Sequence, residues 1–237
     1  MSLAREVPAT AALTIYRHAI LRALLIVASV FCVVSFTLAL LRILGGHDRV
    51  MGLSQLLDLN GEANVPAWYS STLLFVCGLS AAAVAGRLQG TVRWGWNGIA
   101  LALIAMSLDE TAQIHERLTL PPEFLGPYGP IHNITWVFAG TVIAGAVAGV
   151  FLRTVLAAPP RVRNGVFLSG AVYIGGAMGM EMVGGLWALH HGEANVIHAI
   201  IDVLEEGGEL FGATLFLGTA LRYLALLGPA PVEVISD

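Results

Sequence analysis

Val196-Ile-His198-Ala-Ile-Ile-Asp202-Val-Leu-Glu205-Glu206-Gly-Gly-Glu209-Leu-Phe-Gly-Ala-Thr-Leu-Phe-Leu-Gly-Thr-Ala-Leu-Arg222-Tyr-Leu-Ala-Leu226 is the stretch whose reading decides the fold. At about 1.5 Å per helical residue it is long enough to cross a hydrocarbon core of roughly 30 Å. Yet four carboxylates interrupt it. Five other stretches reach or approach the same length and apolarity: His18–Leu44, Trp68–Arg87, Trp96–Leu118, Ile131–Ala157 and Gly165–Leu189. With 57% hydrophobic and 12% charged residues, the 237-residue chain has a composition no ordinary soluble domain shares. The expected fold is all-α: one polytopic membrane bundle of about six transmembrane helices, with no second domain.

Arginine sets the expected topology. Arg5, Arg17, Arg22, Arg87, Arg93, Arg153, Arg161, Arg163 and Arg222 fall on one side of such a bundle, and only Arg42, Arg49 and Arg117 on the other. The positive-inside bias then puts both termini in the cytoplasm. Helical rather than barrel spans place the multi-pass chain in a cell inner membrane. A first apolar stretch of span length, preceded by arginines, reads as a helix rather than a cleaved signal. The basic residues are scattered, which excludes a nucleic-acid partner and leaves membrane lipid as the expected surrounding. Cys32 and Cys77 sit mid-span, offering neither a disulfide framework nor a CxxC site.

Between the spans, Leu53-Ser54-Gln55-Leu56-Leu57 suits a short interfacial helix, and Pro159-Pro160 separates the fourth span from the fifth. Gly-Glu-Ala-Asn-Val occurs twice, at Gly61–Val65 and Gly192–Val196, ahead of the second and sixth spans. An internal duplication or a repeated helix cap explains it, and Asn64 and Asn195 as N-caps is the stronger reading. Gly145/Gly149, Gly175/Gly179 and Gly208/Gly212 have the spacing that lets membrane helices approach closely, within a chain or between copies in a homo-oligomer. The five tryptophans fall near span ends, as aromatic belts do.

The chemistry lies in the acids. Of sixteen carboxylates, eight fall inside expected spans: Asp109, Glu110, Glu116, Glu181, Asp202, Glu205, Glu206 and Glu209. Ionisable groups at such depth are costly and mark ion pathways, relays or metal ligands. Counting residues from the span ends puts Asp109, Glu110, Glu181 and Glu205 at one level, roughly 12 Å below the outer surface. Asp109, Gln113 and Glu116 share one face of the third span by i, i+4, i+7 spacing, and His198, Asp202, Glu205 and Glu209 share one face of the sixth. The two stripes should meet, with Glu181 as a third wall. Glu206 falls just off this stripe. Basic partners are scarce, Arg117 and Arg42 being the nearest, so a cation is the economical way to offset the charge.

Carboxylate with imidazole suits iron, manganese or zinc, one ion or a dinuclear pair. Asp109, Glu116, Glu181, His198, Asp202, Glu205 and Glu209 are the expected divalent-metal ligands. Glu110 and His115, more than a hundred degrees off the Asp109/Glu116 face, are the expected proton donors or partners of ligands. No Glu-x-x-His pair of the ferritin-like kind occurs; His198-x-x-x-Asp202 is the nearest one-turn ligand pair. These residues point to an outward-facing metal site, with metal-dependent enzymatic action on a membrane-dissolved substrate as one outcome. A proton- or cation-coupled transporter and a non-catalytic scaffold subunit are the alternatives, so whether the chain is an enzyme stays open.

Three strings carry a resemblance: Glu62-Ala-Asn64-Val-Pro66-Ala-Trp68-Tyr-Ser-Ser71, Ser107-Leu-Asp109-Glu110-Thr-Ala-Gln-Ile-His115-Glu116 and Leu204-Glu205-Glu206-Gly-Gly-Glu209. They are similar to the signature stretches of a family of uncharacterised bacterial six-helix integral membrane proteins with an LDExxxIHE-type stretch. The resemblance implies a membrane protein of that kind and assigns no activity.

Overall fold

The two repeated Asn residues start two of the long helices. Asn64 accepts from the Ala67 N–H at 3.0 Å and Asn195 from the His198 N–H at 3.0 Å. Each amide also donates backward, to the Asp58 and Gly192 carbonyls. Orphan donors of the first helical turn are thereby satisfied, which is the capping function expected of these residues.

The computed structural model describes residues 9–46, 50–119 and 135–228. All regular structure among them is helical: α1 (Ala9–Gly45), α2 (Leu53–Leu57), α3 (Val65–Ala85), α4 (Gly90–Ala112), α5 (Thr135–Leu156), α6 (Pro160–Ile174), α7 (Glu181–His191) and α8 (Val196–Leu227). A π-helical segment, Gly175–Met180, joins α6 and α7 into one rod, and a 3-10 turn, His115–Leu118, follows α4. Five helices are long and apolar enough to cross a membrane: most of α1, then α3, α5, the α6–α7 rod and α8. The chain is therefore built as a multi-pass membrane protein. The 23-residue α4, with Arg93, Asp109 and Glu110 on it, is not among the five.

Several boundaries differ from the sequence expectation. The third apolar stretch, expected to stay helical to Leu118, stops at Ala112 because Gln113 turns into the left-handed region (φ 54°). The fifth helix starts at Pro160, not Gly165, since proline suits a first helical turn. The expected span start at Ile131 and the proline-rich loop before it lie outside the described residues.

Helix α8 is the hub, packing on α1, α3 and the α6–α7 rod, while α3 and α4 form an antiparallel pair. The dense core gathers Leu74, Cys77, Val84, Trp96, Ala220 and Tyr223 near the ends of α3 and α8 and the start of α4. The Arg87 guanidinium donates to the Gly228 carbonyl and ties that end together. Trp96, expected in an interfacial belt, is instead fully buried against Tyr223 with ring centroids 5.4 Å apart. Trp68 and Trp94 are exposed. So are Ile26, Val33, Leu101, Val142 and Val150, an apolar coat that suits lipid rather than water.

Glycine fixes how α8 meets the rod. A Cβ on Gly176 would stand 2.5 Å from the Glu205 carbonyl oxygen, and one on Gly212 would stand 2.6 Å from the Tyr173 nitrogen. Gly208 faces Gly176 directly. The expected Gly208/Gly212 face thus packs, whereas Gly175 and Gly179 have nothing within 4 Å: the wide turn rotates Gly176 into the contact. A Cβ on Gly145 or Gly149 of α5 would likewise meet nothing within 4 Å among the described residues.

Candidate functional site: an acid-lined chamber

Away from the dense core the bundle opens. α4, α5, the α6–α7 rod and α8 surround a cavity of about 1860 Å³. Asp109 and Glu110 of α4, Glu181 of α7 and His198, Asp202, Glu205 and Glu209 of α8 all line it, together with His115. Acids from three helices therefore meet in one space. Glu206, expected beside the stripe, also lines the space and has Glu209, Glu110 and Glu62 as charged neighbours.

On α8, Glu205 is 8% exposed and its carboxyl lies in hydrogen-bonding contact with Glu181 across the helix interface. Two carboxyls in contact repel unless a proton or another cation lies between them. One turn toward the start of α8, His198 Nδ1 stands 2.8 Å from Asp202 Oδ1, an ion-pair distance. No hydrogen bond of good geometry accompanies it. The ring lies beside Gly184 of α7, where a Cβ would reach it at 3.6 Å. Deeper in, Glu209 meets the Tyr173 hydroxyl and Glu110 meets Ser70.

The α4 end departs from the expected stripe. Because Gln113 leaves the helix, His115 folds back onto Asp109 rather than standing off its face. The His115 backbone N–H donates to Asp109 Oδ1 and its ring Nδ1 contacts Asp109 Oδ2, both at 2.9 Å. Both oxygens of Asp109 are thus engaged in orienting His115, an arrangement that fits a positioning residue better than a metal ligand. The ring also packs on Trp136 of α5, with centroids 4.9 Å apart. Glu116 lies in the 3-10 turn and off the former stripe; its side chain is outside the described residues. Arg42 lines the chamber and sits 3.9 Å from Asp58 Oδ2, while exposed Arg117 does not line it. Exposed His190 and His191 stay at the surface, His191 stacked on Trp187.

Among the lining residues that escaped the sequence reading are Asp58 and Glu62, from the connection before α3, Glu193, from the connection before α8, and Tyr173 of the rod. Eight residues of regular α-helix rotate by roughly 800°, which would leave Tyr173 some 80° off the Glu181 face; the additional residue in a π turn largely closes that gap. The run Gly175-Gly176-Ala-Met-Gly179 was the available signal for an irregular turn. Among the described residues, no group of three or more His, Cys, Asp or Glu is arranged to hold a metal ion. Six of the seven expected ligands, all but Glu116, line one space without forming a ready coordination shell.

Fold and chamber together define a multi-pass helical membrane protein with an acidic internal cavity. Its sequence is matched over residues 19–224 by the model of a family described as a domain of unknown function (DUF8692). The chain belongs to that family. No curated protein and no solved structure matches it.

Proposed function

We propose that the chain is an inner-membrane protein of six spans, α4 included, with both termini in the cytoplasm. It takes a ligand dissolved in the bilayer into this chamber and acts on the ligand's polar end as an enzyme. The observation that carries the proposal is the chamber's polarity. Its lining is acidic from His198 to Glu209 on α8 and at Asp109 and Glu110 on α4, then apolar through Gly212, Ala213 and Phe216 of α8 and Ile99 to Met106 of α4. A space that is polar at one end and apolar for the rest of its depth matches a molecule of the same character.

His115 is the proton-transfer group. Asp109 takes its Nδ1 side, which leaves Nε2 as the basic ring atom and holds the imidazole beside the chamber. Glu110, in contact with Ser70, is the second acid–base candidate. The contact of Glu205 with Glu181 favours a second reading of the same site: a divalent iron, manganese or zinc ion bound there with Asp202, His198 and Glu209. Such an ion supplies Lewis-acid polarisation or an activated water. Its shell would have to close on binding. Transport is the weaker alternative, since the lining beyond Glu209 turns apolar and offers no polar path onward. The uncovered Gly145/Gly149 face of α5 suits contact with a second copy of the chain.

Two measurements on detergent-purified protein test these readings. Mass spectrometry of the extracted lipid should find an amphiphile enriched over bulk membrane lipid in wild type and depleted in Ala144→Phe, which narrows the apolar half; equal lipid in both refutes the chamber reading. Elemental analysis should find stoichiometric metal that disappears in Glu205→Gln, and metal-free active protein removes the second reading alone.

A further inference from the structure

Resting on the reading that the chamber receives a membrane-dissolved ligand, we propose that this ligand is a cationic amphiphile: an ammonium head among Glu110, Glu206 and Glu209, with its hydrocarbon chain along α5. Charge argues for the head. Among the described residues, ten carboxylates line the chamber against one arginine, Arg42, which already faces Asp58. The lining histidines His115 and His198 each stand against an aspartate. Glu110 of α4 and Glu209 of α8 both neighbour Glu206, and Glu62, from the connection before α3, neighbours Glu110 and Glu206. An ammonium group brings three donors and one positive charge to such a cluster. A phosphate or carboxylate head brings further repulsion.

Dimensions argue for the chain. The volume of about 1860 Å³ exceeds the roughly 300–1,000 Å³ typical of small-molecule pockets. Lining residues on α5 run from Trp136, beside His115, to Val155. Nineteen residues of helix cover about 28 Å, close to the hydrocarbon thickness of a bilayer. Along that depth the wall is Gly140, Ile143, Ala144, Val147, Ala148 and Phe151, with no hydrogen-bonding side chain to hold water. Access from the bilayer is available because α5 meets the rod sparingly, with Thr141 and Gly140 against Met178.

The test is equilibrium binding of octadecylamine, octadecanol and octadecanoate to the full-length protein in one detergent, read by native mass spectrometry. The shared chain isolates the head. The amine should bind at least about tenfold tighter than the alcohol, as charge-assisted hydrogen bonds imply, and octadecanoate should not bind. Glu206→Gln/Glu209→Gln should remove the amine's advantage while leaving alcohol binding unchanged; the wild-type comparison stands by itself if that variant fails to fold. Amine and alcohol binding equally overturns the assignment of the head and leaves the chamber reading intact. No binding of any of the three overturns both. Octadecanoate binding that appears on adding Mn²⁺ also overturns the proposal, because the carboxylates are then occupied by metal rather than by the ligand's head.

Discussion

Gly176→Ala tests the contact on which the site depends. The added Cβ would stand 2.5 Å from the Glu205 carbonyl oxygen and 3.1 Å from both the Glu209 nitrogen and the Gly208 Cα. Ordinary contact begins at 3.4 Å, so α8 and the rod must move apart by about 0.9 Å, and the obstructing atoms are backbone that cannot swing away. Overpacking of this kind costs about 1–3 kcal/mol. It also draws Glu205 from Glu181 and Glu209 from Tyr173, two pairs of the chamber's polar half. Gly175→Ala is the matched control, one residue away with nothing within 4 Å of the new methyl. There the change should be neutral or stabilising by up to ~1 kcal/mol through helix propensity. Thermal unfolding of the two variants in the same detergent reads the difference directly. Equal transition temperatures, or Gly175→Ala as the worse variant, would refute the placement of the wide turn against α8.

Other substitutions probe separate parts of the molecule. Asn195→Ala should destabilise by about 1 kcal/mol through loss of the cap, and by more than Asn64→Ala, because Asn195 Oδ1 also accepts from Trp187 Nε1 at 3.1 Å; denaturation midpoints compare the two. Asp109→Ala should release His115, visible in the imidazole nitrogen resonances as averaging between tautomers, whereas unchanged resonances would mean another group holds the ring. Glu205→Gln should leave the melting temperature of ligand-free protein nearly unchanged, since an amide donates to Glu181 in place of the proton that relieves the contact between the two carboxyls; a marked drop would show that Glu205 is ionised beside a favourable charge partner.

Much of the architecture was legible in the chain. Hydropathy sets which segments enter lipid, because every backbone polar group there must be satisfied within its own helix, and helix is the local solution. Spacing then converts to depth, which is why Asp109, Glu110, Glu181 and Glu205 could be assigned to one level before any packing was known. The two Asn caps were equally readable, since a cap is an interaction over three residues. The fate of Trp96 was not, because nothing local distinguishes an interfacial indole from one buried against Tyr223.

What only the tertiary structure decided is where regular helix gives way and which faces meet. The left-handed Gln113 ended α4 early, removed Glu116 from its stripe and brought His115 back onto Asp109. The π turn swung Gly176, rather than Gly175 or Gly179, against α8 and aligned Tyr173 with Glu181. Angular projection from sequence assumes a constant ~100° per residue; a single irregular turn shifts every side chain beyond it, and its position is fixed by packing between helices distant in the chain. The eight acids were visible in the sequence. The arrangement of seven of them around a chamber that is apolar for the rest of its depth was a property of four helices together.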